Sequence, residues 1–359
     1  MVGLSRRLGI EGGRQSRRTA NGSTGWKVAI GYRRLQANTP LRFGVRRLAL
    51  SIDTNSTDQV KPNVLRAGDA VRLVSPASTP DESNVEQIAT LLESNGLRVQ
   101  LARHVFDRFG YLAGRDEDRL KDLNEAINDT SVRAIIATRG GKGAYRIADG
   151  LDFAALRADP KPLIGFSEIT ILHLAMWRNA RVPGIHGACW HAEQFGERAE
   201  QSFLRAILTT EVVTIQSAPN EITSALTTSG QARGILLGGN LDMIATATGW
   251  TLPCLKGTIL LIEDVEKGLG HVDRNLTRLL KCGVLNGVAG IAIGQFSGFA
   301  SSKGVTIVDL LRDRLSPLGV PILGGLPLGH GDRPVTVPIG TEAVLDASCG
   351  TLSVMAAVQ

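Results

Sequence analysis

Between residues 71 and 180, short apolar runs alternate with charged, amphipathic stretches, and that rhythm leaves few folds open. Residues 71–75, 97–101, 134–138 and 162–166 read as strands. Between the first two, Thr79 is placed to cap a helix, with Pro80 in its first position and Glu82 completing a capping box; Gly96 closes it. Leu120, Leu123 and Ile127 keep helical spacing, and 143–158 and 168–179 are also read as helical. Such alternation implies an α/β fold with a parallel sheet covered by helices on both faces. Sites in sheets of this kind form beyond the carboxyl ends of the strands. Two candidate features fall there, the cluster Arg139-Gly-Gly-Lys-Gly143 and Ser167.

The rhythm breaks over 209–230, a stretch rich in Thr, Ser and Ala that reads as a link. A second unit opens with Gly234-Ile-Leu-Leu-Gly-Gly-Asn240 and continues with a strand at 257–263, a helix near 272–281 and a strand at 288–293. It ends strand-rich from Pro321. The expected organisation is a basic extension (1–60), an N-terminal parallel-sheet α/β domain carrying a nucleophile turn (61–208), the link, and a smaller C-terminal α/β domain (231–359).

Charge separates the extension from the body. Residues 1–52 carry eleven Lys or Arg and one acid, Glu11, while the remainder is net −4. A nucleic-acid footprint would have to lie in the extension, which lacks interleaved basic and aromatic residues, so no nucleic-acid partner is expected. Its Arg, Ser and Thr content is that of an organellar transit peptide, and equally that of a disordered extension or a start codon placed too far upstream. Leu48-Ala-Leu50 is too short for a secretory apolar core, and no run approaches the roughly 20 apolar residues of a membrane span. The four cysteines (Cys189, Cys254, Cys282, Cys349) form no close pair and are read as buried free thiols in a reducing compartment. His186 and His191 do not match a zinc spacing, so no metal is expected.

Ser167 lies where an apolar strand turns directly into a helical run, in Lys161-Pro-Leu-Ile-Gly-Phe-Ser-Glu-Ile-Thr170. Such a turn lifts a hydroxyl clear of the sheet and aims helical N–H groups at a developing oxyanion. The second glycine of a G-x-S-x-G elbow is missing, and a serine before a helix also serves as a plain N-cap. A serine needs a base, usually an imidazole held by a carboxylate. Glu263 and Asp264 end an apolar strand, and His330 sits in a turn between Gly329 and Gly331. The 139–143 cluster is wrongly spaced for a nucleotide loop and reads instead as backbone that approaches a substrate, or as a tight turn without a ligand.

In order and spacing, these segments resemble the LD-carboxypeptidases, the serine peptidase family that also contains the microcin C self-immunity peptidases. The matching stretches are 66–76, Arg139-Gly-Gly-Lys-Gly143, Ile164-Gly-Phe-Ser-Glu168, Gly184-Ile-His-Gly187, Gly238-Gly-Asn-Leu241, Ile262-Glu-Asp-Val265 with Asp273-Arg274, and Leu328-Gly-His330. They run from about Val64 to the C-terminus, and the basic extension has no counterpart in the family.

The resemblance implies a Ser-Glu-His triad, with Ser167 as nucleophile, His330 as base and then acid, and Glu263 as orienter. Oxyanion donors would be backbone N–H groups near Gly140 and Gly141 and at Glu168. It further implies no cofactor, a homodimer, a cytoplasmic setting, and release of the terminal D-alanine from a murein tetrapeptide. Glu168, Lys142 and Ala188 depart from the family's usual Asp, Tyr and Pro, and the last two touch the expected substrate cleft. An amidase acting on aminoacyl-nucleotide analogues is the second enzyme reading, for which Trp190 offers a ring that stacks a base or merely packs its loop. A non-catalytic peptide binder is the third.

Overall fold

The computed structural model describes residues 59–187 and 192–359, with the side chains of 192–195 left aside. The expectations for the basic extension up to residue 58, Cys189, Trp190 and His191 lie outside the described residues.

The alternation of the first half becomes β1 (Ala70–Val74), α1 (Glu82–Ser94), β2 (Arg98–Leu101), α2 (Asp116–Asn128), β3 (Val132–Ala137), α3 (Phe153–Ala158), β4 (Leu163–Gly165), α4 (Thr170–Ala180) and β5 (Gly184–His186). α5 (Ala192–Leu208) follows, broken at Gly196, where the backbone leaves helical geometry. Then come β6 (Val213–Gln216), β7 (Gln231–Asn240), α6 (Leu241–Ala247), β8 (Ile259–Val265), α7 (Leu269–Lys281), β9 (Gly290–Ser297) and α8 (Ile307–Leu315). Four short strands close the chain: β10 (Ile322–Leu323), β11 (Val337–Ile339), β12 (Thr341–Asp346) and β13 (Thr351–Val354). The stretch 209–230 holds β6 and a 3-10 segment, Ile222–Leu226.

The described residues form one compact unit containing two sheets. The first has the order β11-β5-β4-β3-β1-β2, parallel except where β11 runs antiparallel beside β5. The second, β10-β9-β8-β7-β12-β13-β6, is parallel from β10 to β7 and antiparallel beyond. Fully buried strands need no alternation, and β3 and β8 are apolar along most of their length for that reason. The helices present single stripes instead. In α1 the buried residues are Val85, Ile88 and Leu92, each worth about 1.5–3 kcal/mol when fully removed from water.

Two local expectations are corrected. Thr79 does not cap α1, whose N-cap is Asp81 without a side-chain bond. Its hydroxyl donates instead to the carbonyls of Asp107 (2.7 Å) and Leu112 (3.3 Å), a long-range use that outcompetes the local cap. Cys254, Cys282 and Cys349 are free thiols but exposed rather than buried, since Cys282 and Cys349 lie in surface turns and Cys254 in an irregular surface segment.

Candidate active site

β4 ends at Gly165, and the chain enters a single 3-10 turn, Ser167–Ile169, before α4. Ser167 has φ of 61°, a left-handed conformation that is uncommon for a residue with a Cβ and costs on the order of 1–3 kcal/mol. This is the strained strand-to-helix turn anticipated from the sequence. The second glycine of such an elbow is replaced by Ile169, and the first is required by it. Ile169 lies over Gly165, where an added Cβ would meet its Cγ1 and Cγ2 at 3.0 Å.

Gly140 and Gly141 form the loop beyond β3. A Cβ on Gly140 would stand 2.9 Å from the Cβ of Ser167 and 3.2 Å from its Oγ, so the backbone of the loop passes directly beside the hydroxyl. Ser78 backs this loop: its N–H donates to the Gly140 carbonyl (3.2 Å), and its Oγ accepts from the N–H of Lys142 (3.1 Å). The Glu168 carboxylate does more than follow the serine. It is buried, and its Oε1 accepts the N–H groups of Gly143 (2.7 Å) and Ala144 (3.1 Å), tying the glycine loop to the serine turn. Burial raises the Glu168 carboxyl above its usual range, against the pull of those N–H donors and of Lys142.

Glu263 lies fully buried near the end of β8, where the pairing with β9 slips between Ile262 and Asp264. Irregularities of this kind re-aim side chains beside sites. Glu263 and Asp264, as strand neighbours, face different partners. Glu263 Oε2 lies 2.7 Å from His330 Nδ1. Asp264 Oδ1 accepts from Asn240 Nδ2 (3.2 Å) and lies 3.4 Å from Lys267 Nζ. Lys267 continues to Asp242 Oδ2 at 2.6 Å, and His271 and Asn275 meet Asp242 Oδ1. Asp242 falls to about 2: burial opposes the drop, but Lys267 and His271 overcome it.

A carboxylate only accepts, so a proton on His330 Nδ1 leaves the lone pair of Nε2 as the basic position. Burial pushes the His330 imidazolium down, yet Glu263, with help from Asp264, leaves it above its ordinary value despite Lys267. The ring of Phe166, the residue before Ser167, lies 4.8 Å from that of His330. Thr170, at the start of α4, accepts the N–H of Asn240 (3.0 Å) and so joins the serine helix to the second sheet. His330 opens onto a cleft of about 990 Å³ that Asn220, Glu221, Asp332 and Arg333 also line.

Of the residues singled out from the sequence, Ser167 stands against Gly140, Glu168 holds the adjoining loop through its side chain, and Glu263 pairs with His330. The side-chain role of Glu168, the backing by Ser78 and the Asp242–Lys267 network were not anticipated. No local pattern links Glu168 to N–H groups 24 and 25 positions earlier in the chain.

Two family models match the chain, the LD-carboxypeptidase N-terminal domain over residues 71–187 and the C-terminal domain over residues 233–345. The chain belongs to the LD-carboxypeptidase family. Murein tetrapeptide carboxypeptidase of Pseudomonas aeruginosa is 31% identical over 287 residues, covering 77% of this chain and 93% of that protein. The Bacillus subtilis protein named "Probable murein peptide carboxypeptidase" is 33% identical over 306 residues, 83% of this chain and 95% of its own. Muramoyltetrapeptide carboxypeptidase from Oxalobacter formigenes superposes with a TM-score of 0.70 at 26% identity, covering 79% and 97% of the two chains. Microcin C7 self immunity protein MccF, in complex with aspartyl sulfamoyl adenosine, superposes at 0.74 over 82% and 98%, a likeness of fold at 20% identity. As a family member the chain is a serine-type peptidase, hence a hydrolase.

Proposed function

We propose that this LD-carboxypeptidase releases the terminal D-alanine of a murein tetrapeptide by cutting an L-to-D peptide bond through an acyl-enzyme. The observation that carries the reading is the 2.7 Å contact between Glu263 and His330, on a loop packed against the residue that precedes a strained serine. The names of the relatives at 31% and 33% identity supply the substrate class.

In the mechanism, His330 Nε2 takes the proton of Ser167 as Oγ attacks the scissile carbonyl. Glu263 keeps the imidazole in the required tautomer and stabilises the imidazolium. The tetrahedral oxyanion is met by backbone N–H groups of the Gly140–Gly141 loop and of Glu168, preorganised before the substrate arrives. The imidazolium then protonates the leaving amine of D-alanine. Water, activated by the same base, hydrolyses the ester. No cofactor enters this scheme. The same reading makes the protein a homodimer working in the cytoplasm, to be checked by sedimentation velocity and cell fractionation. Among the described residues no helix is long and apolar enough to cross a membrane.

The deciding experiment is D-alanine release from purified murein tetrapeptide by the wild type and by Ser167→Ala. Release that vanishes in the mutant supports substrate and nucleophile together. An enzyme that releases no D-alanine yet still labels at Ser167 with a fluorophosphonate keeps the hydrolase and loses the murein substrate, and aminoacyl-nucleotide amides become the next to assay.

A further inference from the structure

The loop that carries His330, residues 328–332, has no helix or strand of its own. One residue of β9 nevertheless bonds it on both sides of the histidine. Gln295, 1% exposed, donates its backbone N–H to the Leu328 carbonyl (2.8 Å). Its side-chain Oε1 accepts the N–H of Gly331 (2.8 Å), and Nε2 donates to the Asp332 carbonyl (3.0 Å). Nε2 also donates to Glu221 Oε1 at 2.7 Å.

That last bond orients the amide. Glu221 as a carboxylate only accepts, so the NH₂ end of Gln295 must face it, and the carbonyl end is left for Gly331. A flipped amide would set NH₂ against the Gly331 N–H, and a carbonyl against both Glu221 and Asp332. The loop also packs closely against the side chains of Gln295 and Glu263. A Cβ on Gly331 would fall 2.4 Å from the Gln295 carboxamide carbon, and one on Gly329 2.5 Å from Glu263 Oε2. The two glycines around His330 are thus the places where the loop presses against the amide on one side and the carboxylate on the other.

We propose that Gln295, with its amide held in one orientation by Glu221, is a positioning residue that sets the register of His330 against Glu263. The inference rests on the triad reading above. Gln295 touches no reacting atom; it acts through the histidine loop.

The test is steady-state D-alanine release from murein tetrapeptide by the full-length chain, with thermal melts of every variant. Gln295→Glu turns the donor into a second carboxylate facing Glu221 and the Asp332 carbonyl. It lowers kcat on the order of 10²-fold, the cost of a misplaced catalytic group, with KM within about threefold of wild type. Adding Glu221→Gln to that variant restores a donor–acceptor pair, though not the bond to Asp332, and recovers about tenfold of the lost kcat. If Gln295→Glu does not fold, Glu221→Ala, at the cleft surface, decides instead by lowering kcat with an unchanged melt.

Wild-type kcat in whichever of these variants decides overturns the proposal, as does a double variant no better than the single, or a kcat loss that tracks the melting temperature. His330→Ala is measured alongside. Full turnover there sinks the triad reading itself, whereas an inactive His330→Ala beside a fully active Gln295→Glu sinks only the role of Gln295.

Discussion

Gly140 lies so near Ser167 that a methyl group on its α-carbon would stand 2.9 Å from the serine Cβ and 3.2 Å from its Oγ. Gly140 is not among the glycines with a left-handed backbone, so alanine suits its conformation and the cost is contact alone. Gly140→Ala is therefore expected to fold, with a melting temperature near wild type. It should slow fluorophosphonate labelling of Ser167 and lower kcat/KM by about 10²-fold, the usual loss when an oxyanion donor or nucleophile is displaced. Wild-type labelling would mean that the loop yields without disturbing the hydroxyl.

The two adjacent buried carboxylates are separable by substitution. Glu263→Gln replaces an acceptor at His330 Nδ1 with a group that can donate there, favouring the wrong tautomer; turnover is expected to fall on the order of 10⁴-fold. Asp264→Asn, which faces Asn240 and Lys267, should cost far less. The reverse ranking of kcat would transfer the orienting role to Asp264.

The pH profile has a definite direction. His330 must be neutral to act as a base, and its imidazolium is held above the ordinary value of 6.5, with burial and Lys267 opposing Glu263 and Asp264. The ascending limb of kcat/KM for the free enzyme should thus lie above pH 6.5. The residual activity of Glu263→Gln should show that limb displaced to lower pH. A wild-type limb well below 6.5 would contradict the pairing.

Asp242 is a matter of stability rather than turnover. Its carboxyl drops from 3.8 to about 2, with burial opposing and Lys267 and His271 driving the shift. A group depressed in the folded state stabilises above its unfolded value and loses that contribution as pH falls through the folded one. Asp242→Ala is expected to lose about 1–2 kcal/mol at neutral pH in urea unfolding, after allowance for solvent screening. The gap to wild type should narrow between pH 3.8 and 2. An equal gap at pH 7 and pH 2 would place the effect in packing instead.

Much of the architecture was legible because buried strands and striped helices write their periods locally. The 71–180 alternation became β1 to α4 with most bounds displaced by a few residues. Of the helix expected over 143–158, however, only α3 is α-helical; the rest is two short 3-10 turns, Ala144–Arg146 and Ala148–Gly150, which follow the left-handed Gly143. The strand-end positions of Ser167, Glu263 and the glycine loop follow from the same local pattern. What could not be read is long-range pairing of polar side chains. Thr79 answers a carbonyl at Asp107, Glu168 reaches back to Gly143, and Gln295 meets Gly331, none of which leaves a period in the sequence. The contact of Glu263 with His330 spans 67 positions; the residues alone left Glu263 and Asp264 both open as its carboxylate, and the family resemblance chose Glu263. The cysteines misled because their low polarity says nothing about a surface turn.

β11 completes the first sheet although it comes from the far end of the chain, pairing Val337 with His186 and Ile339 with Gly184. During synthesis the edge of β5 must wait, uncovered, until almost every other residue has been made. A nascent chain stalled before Val337 would present that edge to its neighbours, a template for joining with other incomplete copies. Fragments cut at the boundary between the two family domains would inherit the same open edge. Quality control of this protein is thereby tied to its last few strands, and premature termination late in translation should yield aggregates rather than a working half.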